Sequence, residues 1–65
     1  MQHEDLADDL LRGTPAIAKF IGQRLRQTYY ALETKRLPGF KLGKIWMARK
    51  STLRRHFEKL EATHV

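Results

Sequence analysis

The side chains with the most evident chemistry lie in one short run, RLRQTYYALE, which sets Arg24, Arg26, Gln27, Thr28 and Tyr30 within seven positions. A guanidinium presents a fork of donors to the two acceptors on the major-groove edge of guanine. A Gln amide matches the acceptor and donor of adenine, and a tyrosine bonds phosphate or meets a thymine methyl. A second group of cations, Lys41, Lys44, Arg49 and Lys50, follows at a spacing suited to lining a phosphate backbone or the neighbouring minor groove. Other chemistries find no foothold. The chain has no cysteine, and His3, His56 and His64 stand at spacings that suit no zinc motif. It shows no paired carboxylates, no nucleophile beside a base and no glycine-rich phosphate loop. The expectation is therefore a protein that is not an enzyme and needs neither metal nor cofactor.

To present that run, the chain needs a helix with one apolar and one polar side. Leu25, Tyr29 and Leu32 repeat at helical spacing, which predicts a helix over about 25–35 with this stripe facing a neighbour and Arg26, Gln27, Tyr30 and Thr34 opposite. Arg24 and Arg26 then lie at the positive end of the helix dipole, unfavourable for a cation unless an anion sits opposite. The neighbour is a preceding helix. Thr14 is suited to cap it and Pro15 to occupy its first position, Ile17, Phe20 and Ile21 share one side, and Gly22 can end it in a left-handed conformation. Leu37-Pro38-Gly39 breaks the second helix, and Phe40–Leu42 and Ile45–Met47 read as strands around a Gly43-Lys44 turn. Such a hairpin must pack its apolar side on the helices, with Trp46 as the expected contact. Ser51 is the expected cap of a last helix carrying Leu53, Phe57 and Leu60 on one side and Lys50, Arg54 and Arg55 near its start. Residues 4–12 read as a further short helix with Leu6 and Leu10 on one face.

The charge is divided unevenly along the chain. The whole carries +6, but residues 1–12 hold Glu4, Asp5, Asp8 and Asp9 against Arg12, a net of −3, and residues 13–65 are left with +9. At 65 residues the chain is one small unit, read as an acidic N-terminal helix over 1–12 and a basic domain over 13–65. A basic domain attracts polyanions, and each neutralised phosphate releases counterions. No stretch approaches the roughly 20 apolar residues needed to span a bilayer, and the acidic start is unlike a signal peptide. The expectation is a cytoplasmic, nucleoid-associated protein that does not bind membranes.

From Ile17 to Leu53 the chain resembles the excisionase-type, MerR-like winged helix-turn-helix family of small proteins from bacterial genomes and mobile elements. The resemblance rests on AIAKFIG as first helix and turn, RQTYYALE as recognition helix, and RLPGFKLGKIWMARKSTL as link, wing and start of the final helix. It implies a mainly α fold of three to four short helices with a β-hairpin wing, and sequence-specific binding of double-stranded DNA. Arg26, Gln27, Thr28 and Tyr30 match the start of the family's recognition helix, and Lys41, Lys44 and Arg49 its basic wing. Where similar sequences commonly have Ser or Thr at the helix cap, this chain has Arg24. The implied roles are a recombination directionality factor (an excisionase) or a small transcription regulator. The implied partners are DNA, a site-specific recombinase or the transcription machinery, and further copies of the chain set head to tail on DNA. The alternative of a different class is a protein-interaction adaptor whose basic face docks an acidic partner.

Overall fold

Two left-handed stops divide the middle of the chain. The computed structural model describes residues 6–63. A helix α2 (Thr14–Ile21) ends at Gly22, whose φ of 71° and ψ of 32° lie in the region that glycine enters without steric cost. The amides of Gly22 and Gln23 turn back to the carbonyls of Lys19 and Ala18, which satisfies two acceptors that a helix end would leave open. After Gln23 and Arg24, helix α3 (Leu25–Glu33) begins. It closes with the same bonding pattern, Lys35 to Leu32 and Arg36 to Ala31, but with Lys35 itself at a φ of 63°. The helix thus stops ahead of Leu37-Pro38-Gly39, two residues short of the expected end, on a residue that tolerates the left-handed region less well than glycine.

A strand pair follows, β2 (Phe40–Leu42) and β3 (Ile45–Arg49), joined by Gly43 at a φ of 69° and Lys44. Helix α4 (Lys50–Thr63) continues directly from β3. The N-terminal segment departs from expectation. The helix predicted over 4–12 is one turn, α1 (Leu6–Asp9), followed by a strand, β1 (Leu10–Arg12), while Glu4 and Asp5 lie outside the described residues. β1 pairs antiparallel with β3, Leu11 opposite Ala48, which makes a three-stranded sheet in the order β1-β3-β2. The physical reason lies in Leu10 and Leu11: a strand sends the two to opposite faces, and Leu11 reaches the core beside its partner Ala48. The described chain is thus mostly helical, with four helices and a three-stranded antiparallel sheet.

Ile17 of α2, Leu32 of α3, Leu53 of α4, Leu37 of the connection and Ala48 of β3 form the buried core, with Leu11, Ile21, Ala31 and Trp46 packed around it. Two expectations of burial are corrected. Leu25 and Tyr29 are about half exposed, because α3 instead turns Thr28 and Leu32 inward. Among the described side chains of α4 only Leu53 is buried, since the core is too small to cover Phe57 and Leu60 one and two turns further on. Alternation along β3 directs Trp46 and Ala48 to the helices, leaving Phe40, Leu42 and Ile45 exposed on the other side of the hairpin. Thr14 is also not the cap of α2; Gly13 holds that place and Thr14 begins the helix, with Pro15 tolerated as expected at its start.

Gly39 is where the connection passes closest to the core. A Cβ there would stand 2.7 Å from Leu32 Cδ2 and 3.1 Å from the carbonyl oxygen of Met47. Leu32 is itself enclosed and the carbonyl belongs to the sheet, so neither gives way freely. Gly39→Ala is expected to destabilise by about 1–3 kcal/mol through overpacking. A urea midpoint equal to that of the wild type would contradict this.

Candidate nucleic-acid interface

Helix α3 is anchored by what it buries. Thr28 is enclosed, and its hydroxyl donates to the carbonyl of Arg24 at 2.8 Å, so it is part of the packing and not a base-reading side chain as the sequence suggested. That is a correction with a simple cause: at 100° per residue Thr28, Ala31 and Leu32 share a face, and this face, not the Leu25-Tyr29 stripe, meets the core. The direction opposite is taken by Arg26 and Tyr30, both exposed. Gln27 is exposed on one flank, where it lines a groove with Ile21, His56 and Phe57. Leu25 and Tyr29 lie on the other flank, near Thr14 and Pro15. Arg24 precedes the helix in extended conformation, at φ −75° and ψ 153°, and gives its first turn no side-chain cap. That turn carries no acidic residue. Among the described residues neither Arg24 nor Arg26 has an ion-pair partner.

One carboxylate of α3 reaches the hairpin. Glu33 accepts a hydrogen bond from the Trp46 indole N–H at 3.2 Å and pairs with the Lys41 ammonium at 3.7 Å. Lys41 also stands 5.4 Å from the centre of the Trp46 ring, within range of a cation–π attraction. The bond from Trp46, with a further one from Tyr29 and the charge of Lys41, lowers the pKa of Glu33 below its ordinary value. These contacts are solvent-exposed and add a modest tie between the hairpin and the end of α3. Trp46 packs the hairpin on the helices as expected. Lys41 is thus engaged on the α3 side, and Lys44 is exposed at the turn.

Arg49 and Lys50 belong elsewhere. They stand at the far end of β3 from the turn, about 13 Å from Ile45 at the usual rise of a strand. They are therefore not part of the hairpin tip. Arg49 Nε donates to Asp9 Oδ2 at 3.0 Å, and the same carboxylate accepts the amide N–H of Ser51 at 3.0 Å and its hydroxyl at 2.7 Å. Asp9, not Ser51, thus supplies the acceptor at the start of α4, and Ser51 is a donor inside the first turn. Sequence reasoning passed over Asp9 because its partners lie about forty positions away. The signal that could have marked it is the weak capping of a helix that opens on Lys50.

The structure therefore brings Arg24, Arg26, Gln27 and Tyr30 to the exposed side and flank of one helix, with the hairpin bearing Lys41 and Lys44 fixed beside its C-terminal end. Thr28 is withdrawn into the packing, and Arg49 and Lys50 form a separate group at the α4 start. Leu25 and Tyr29 are exposed side chains of this region that periodicity assigned to the core. Among the described residues no group of His, Asp and Glu could hold a metal ion, and no helix is long and apolar enough to cross a membrane. No family model matches the chain, and no match was found among curated proteins or solved structures.

Proposed function

We propose that the protein is a sequence-specific double-stranded DNA-binding factor without catalytic activity. In this reading α2, the Gly22 turn and α3 act as a helix-turn-helix and the β2–β3 hairpin as its wing. α3 enters the major groove, where Arg26, Gln27 and Tyr30 reach base edges and Arg24 a phosphate. Lys44, with Lys41 behind it, follows the backbone. The observation that carries the reading is the outward face of α3: Arg26 and Tyr30 are exposed opposite the buried Thr28 and Leu32, beside an uncapped, acid-free helix start. The roles that fit are a recombination directionality factor or a small transcription regulator, acting with a recombinase or the transcription machinery, and both would use this same surface.

The test is a titration against genomic-fragment duplexes at several salt concentrations, with Arg26→Ala/Gln27→Ala alongside. The wild type is expected to select a preferred duplex and to lose affinity steeply with salt. The double variant should bind that duplex roughly 10- to 100-fold more weakly while keeping its weak nonspecific binding, since each bidentate base contact is worth about 1–3 kcal/mol. Equal, weak binding of all duplexes by both proteins would favour an adaptor that docks an acidic protein partner.

A further inference from the structure

Only part of the surface presented by α3 is suited to hydrogen-bonded readout. With Thr28 buried, Arg26 and Gln27 are the two described side chains of this helix able to pair bidentately with a base. Beside Arg26 lies an open, mainly apolar groove lined by Thr14, Pro15, Leu25, Arg26 and Tyr29. Leu25 is 53% exposed and Tyr29 49%. Such exposure costs stability in a chain with so small a core.

We infer that this groove is a thymine-reading element: Leu25, Tyr29 and Pro15 cover the 5-methyl group of thymine next to the base pair read by Arg26. The inference rests on the DNA-binding reading and names the base chemistry the same helix selects. Three features favour this occupant. Arg26 forms part of the groove wall, so whatever fills the groove also lies against a cation without an ion-pair partner among the described residues. Arg24 and the positive end of α3 add to the attraction for an anionic ligand. In the major groove the sole apolar group on a base edge is the thymine methyl, which an aliphatic or aromatic side chain recognises by contact. Leu25 and Tyr29 are one helical turn apart, about 6 Å along the axis. Leu25 directly precedes Arg26 in the chain, so the thymine it covers lies beside the base pair that Arg26 contacts.

The experiment takes the preferred duplex from the titration above and replaces each thymine in turn with uracil, removing only the methyl group. Wild type and Leu25→Ala are compared on every duplex. Leu25 is exposed and alanine favours helix, so the variant is expected to keep its fold, checked by circular dichroism. The expected result is one or two positions where uracil lowers wild-type affinity about fourfold, the worth of one covered methyl. Leu25→Ala should bind the thymine duplex more weakly and show little further loss with uracil at those positions. A preferred duplex whose affinity no uracil alters, or which Leu25→Ala binds with the same uracil sensitivity as the wild type, overturns the thymine assignment and leaves DNA reading by α3 standing. Absence of any preferred duplex overturns both.

Discussion

Asp9→Ala is expected to lower the melting temperature by more than about 5 °C at neutral pH, whereas Asp8→Ala, one residue earlier and exposed, should leave it within about 2 °C. Asp9 is 6% exposed and its two oxygens accept three hydrogen bonds, from the Ser51 amide, the Ser51 hydroxyl and Arg49. Removing the carboxylate leaves the α4 start without its acceptor and removes the side-chain tie from the end of α1 to Arg49 and Ser51, while the backbone pairing of β1 with β3 remains. The ion pair itself matters less than the hydrogen bonds, because the Arg49 side chain is about half exposed and its charge is screened. The pH dependence follows from the same contacts. The Ser51 hydroxyl first, then the Ser51 amide and Arg49, hold the Asp9 carboxyl below its ordinary pKa, against the opposing effect of burial. A group whose folded pKa is lowered contributes stability that is fully present above its unfolded value of about 4 and is lost as pH falls through the folded one. Thermal melts of wild type and Asp9→Asn should therefore stay fully apart from pH 7 down to about pH 4 and converge across the range below it, as pH falls through the lowered pKa of Asp9. A gap that stays constant across that range would show that Asp9 acts through something other than its charge.

The parts of the fold that were legible in the sequence were those set by local chemistry. Gly22 stops α2 because it enters the left-handed region freely, Pro15 fits a helix start, and Gly43 permits the hairpin turn. The order of the elements after residue 13 follows from such signals. What was not legible depended on which of two possible faces meets the core. On α3 the Leu25-Tyr29-Leu32 stripe is more apolar than Thr28-Ala31-Leu32, and hydropathy favours the wrong one. The structure buries the smaller side chains, and Thr28 is accommodated because its hydroxyl is satisfied by the Arg24 carbonyl. The same choice of face displaces the candidate site: the pattern makes Thr28 a reader and Leu25 and Tyr29 core, whereas Thr28 is buried and Leu25 and Tyr29 are about half exposed. The Asp9 contacts were hidden for a different reason, since nothing local to EDLADDLLR indicates a partner near residue 50. Residues 10–12 look helical alone and become a strand because β3 offers an unpaired edge for them.

Leu53 and Phe57 carry equivalent places in the α4 pattern, and the structure separates them. Leu53→Ala is expected to cost about 2–5 kcal/mol, as deletion of an enclosed leucine does when its surroundings relax only in part. Leu53 is fully buried among Ile17, Leu32, Leu37 and Ala48, where α2, α3, the connection and β3 all meet. For a chain of this length the total stability is on the order of 3–10 kcal/mol, so that single loss leaves a substantial unfolded population. Phe57→Ala should cost well under half as much. Phe57 is 41% exposed; its ring lies edge-on to His56, and it lines a groove with Ile21, Ala31 and Leu37. Urea denaturation of the two variants, followed by circular dichroism at 222 nm, compares them directly. A Phe57→Ala midpoint as low as that of Leu53→Ala would mean that the C-terminal half of α4 is covered in solution, and a dependence of the midpoint on protein concentration would identify a second copy as the cover. A large drop for Leu53→Ala alone places the cooperative core where α2, α3 and β3 converge. α3 then owes its rigid presentation of Arg26 and Tyr30 to the packing beneath Leu32, and the second half of α4 contributes little to it.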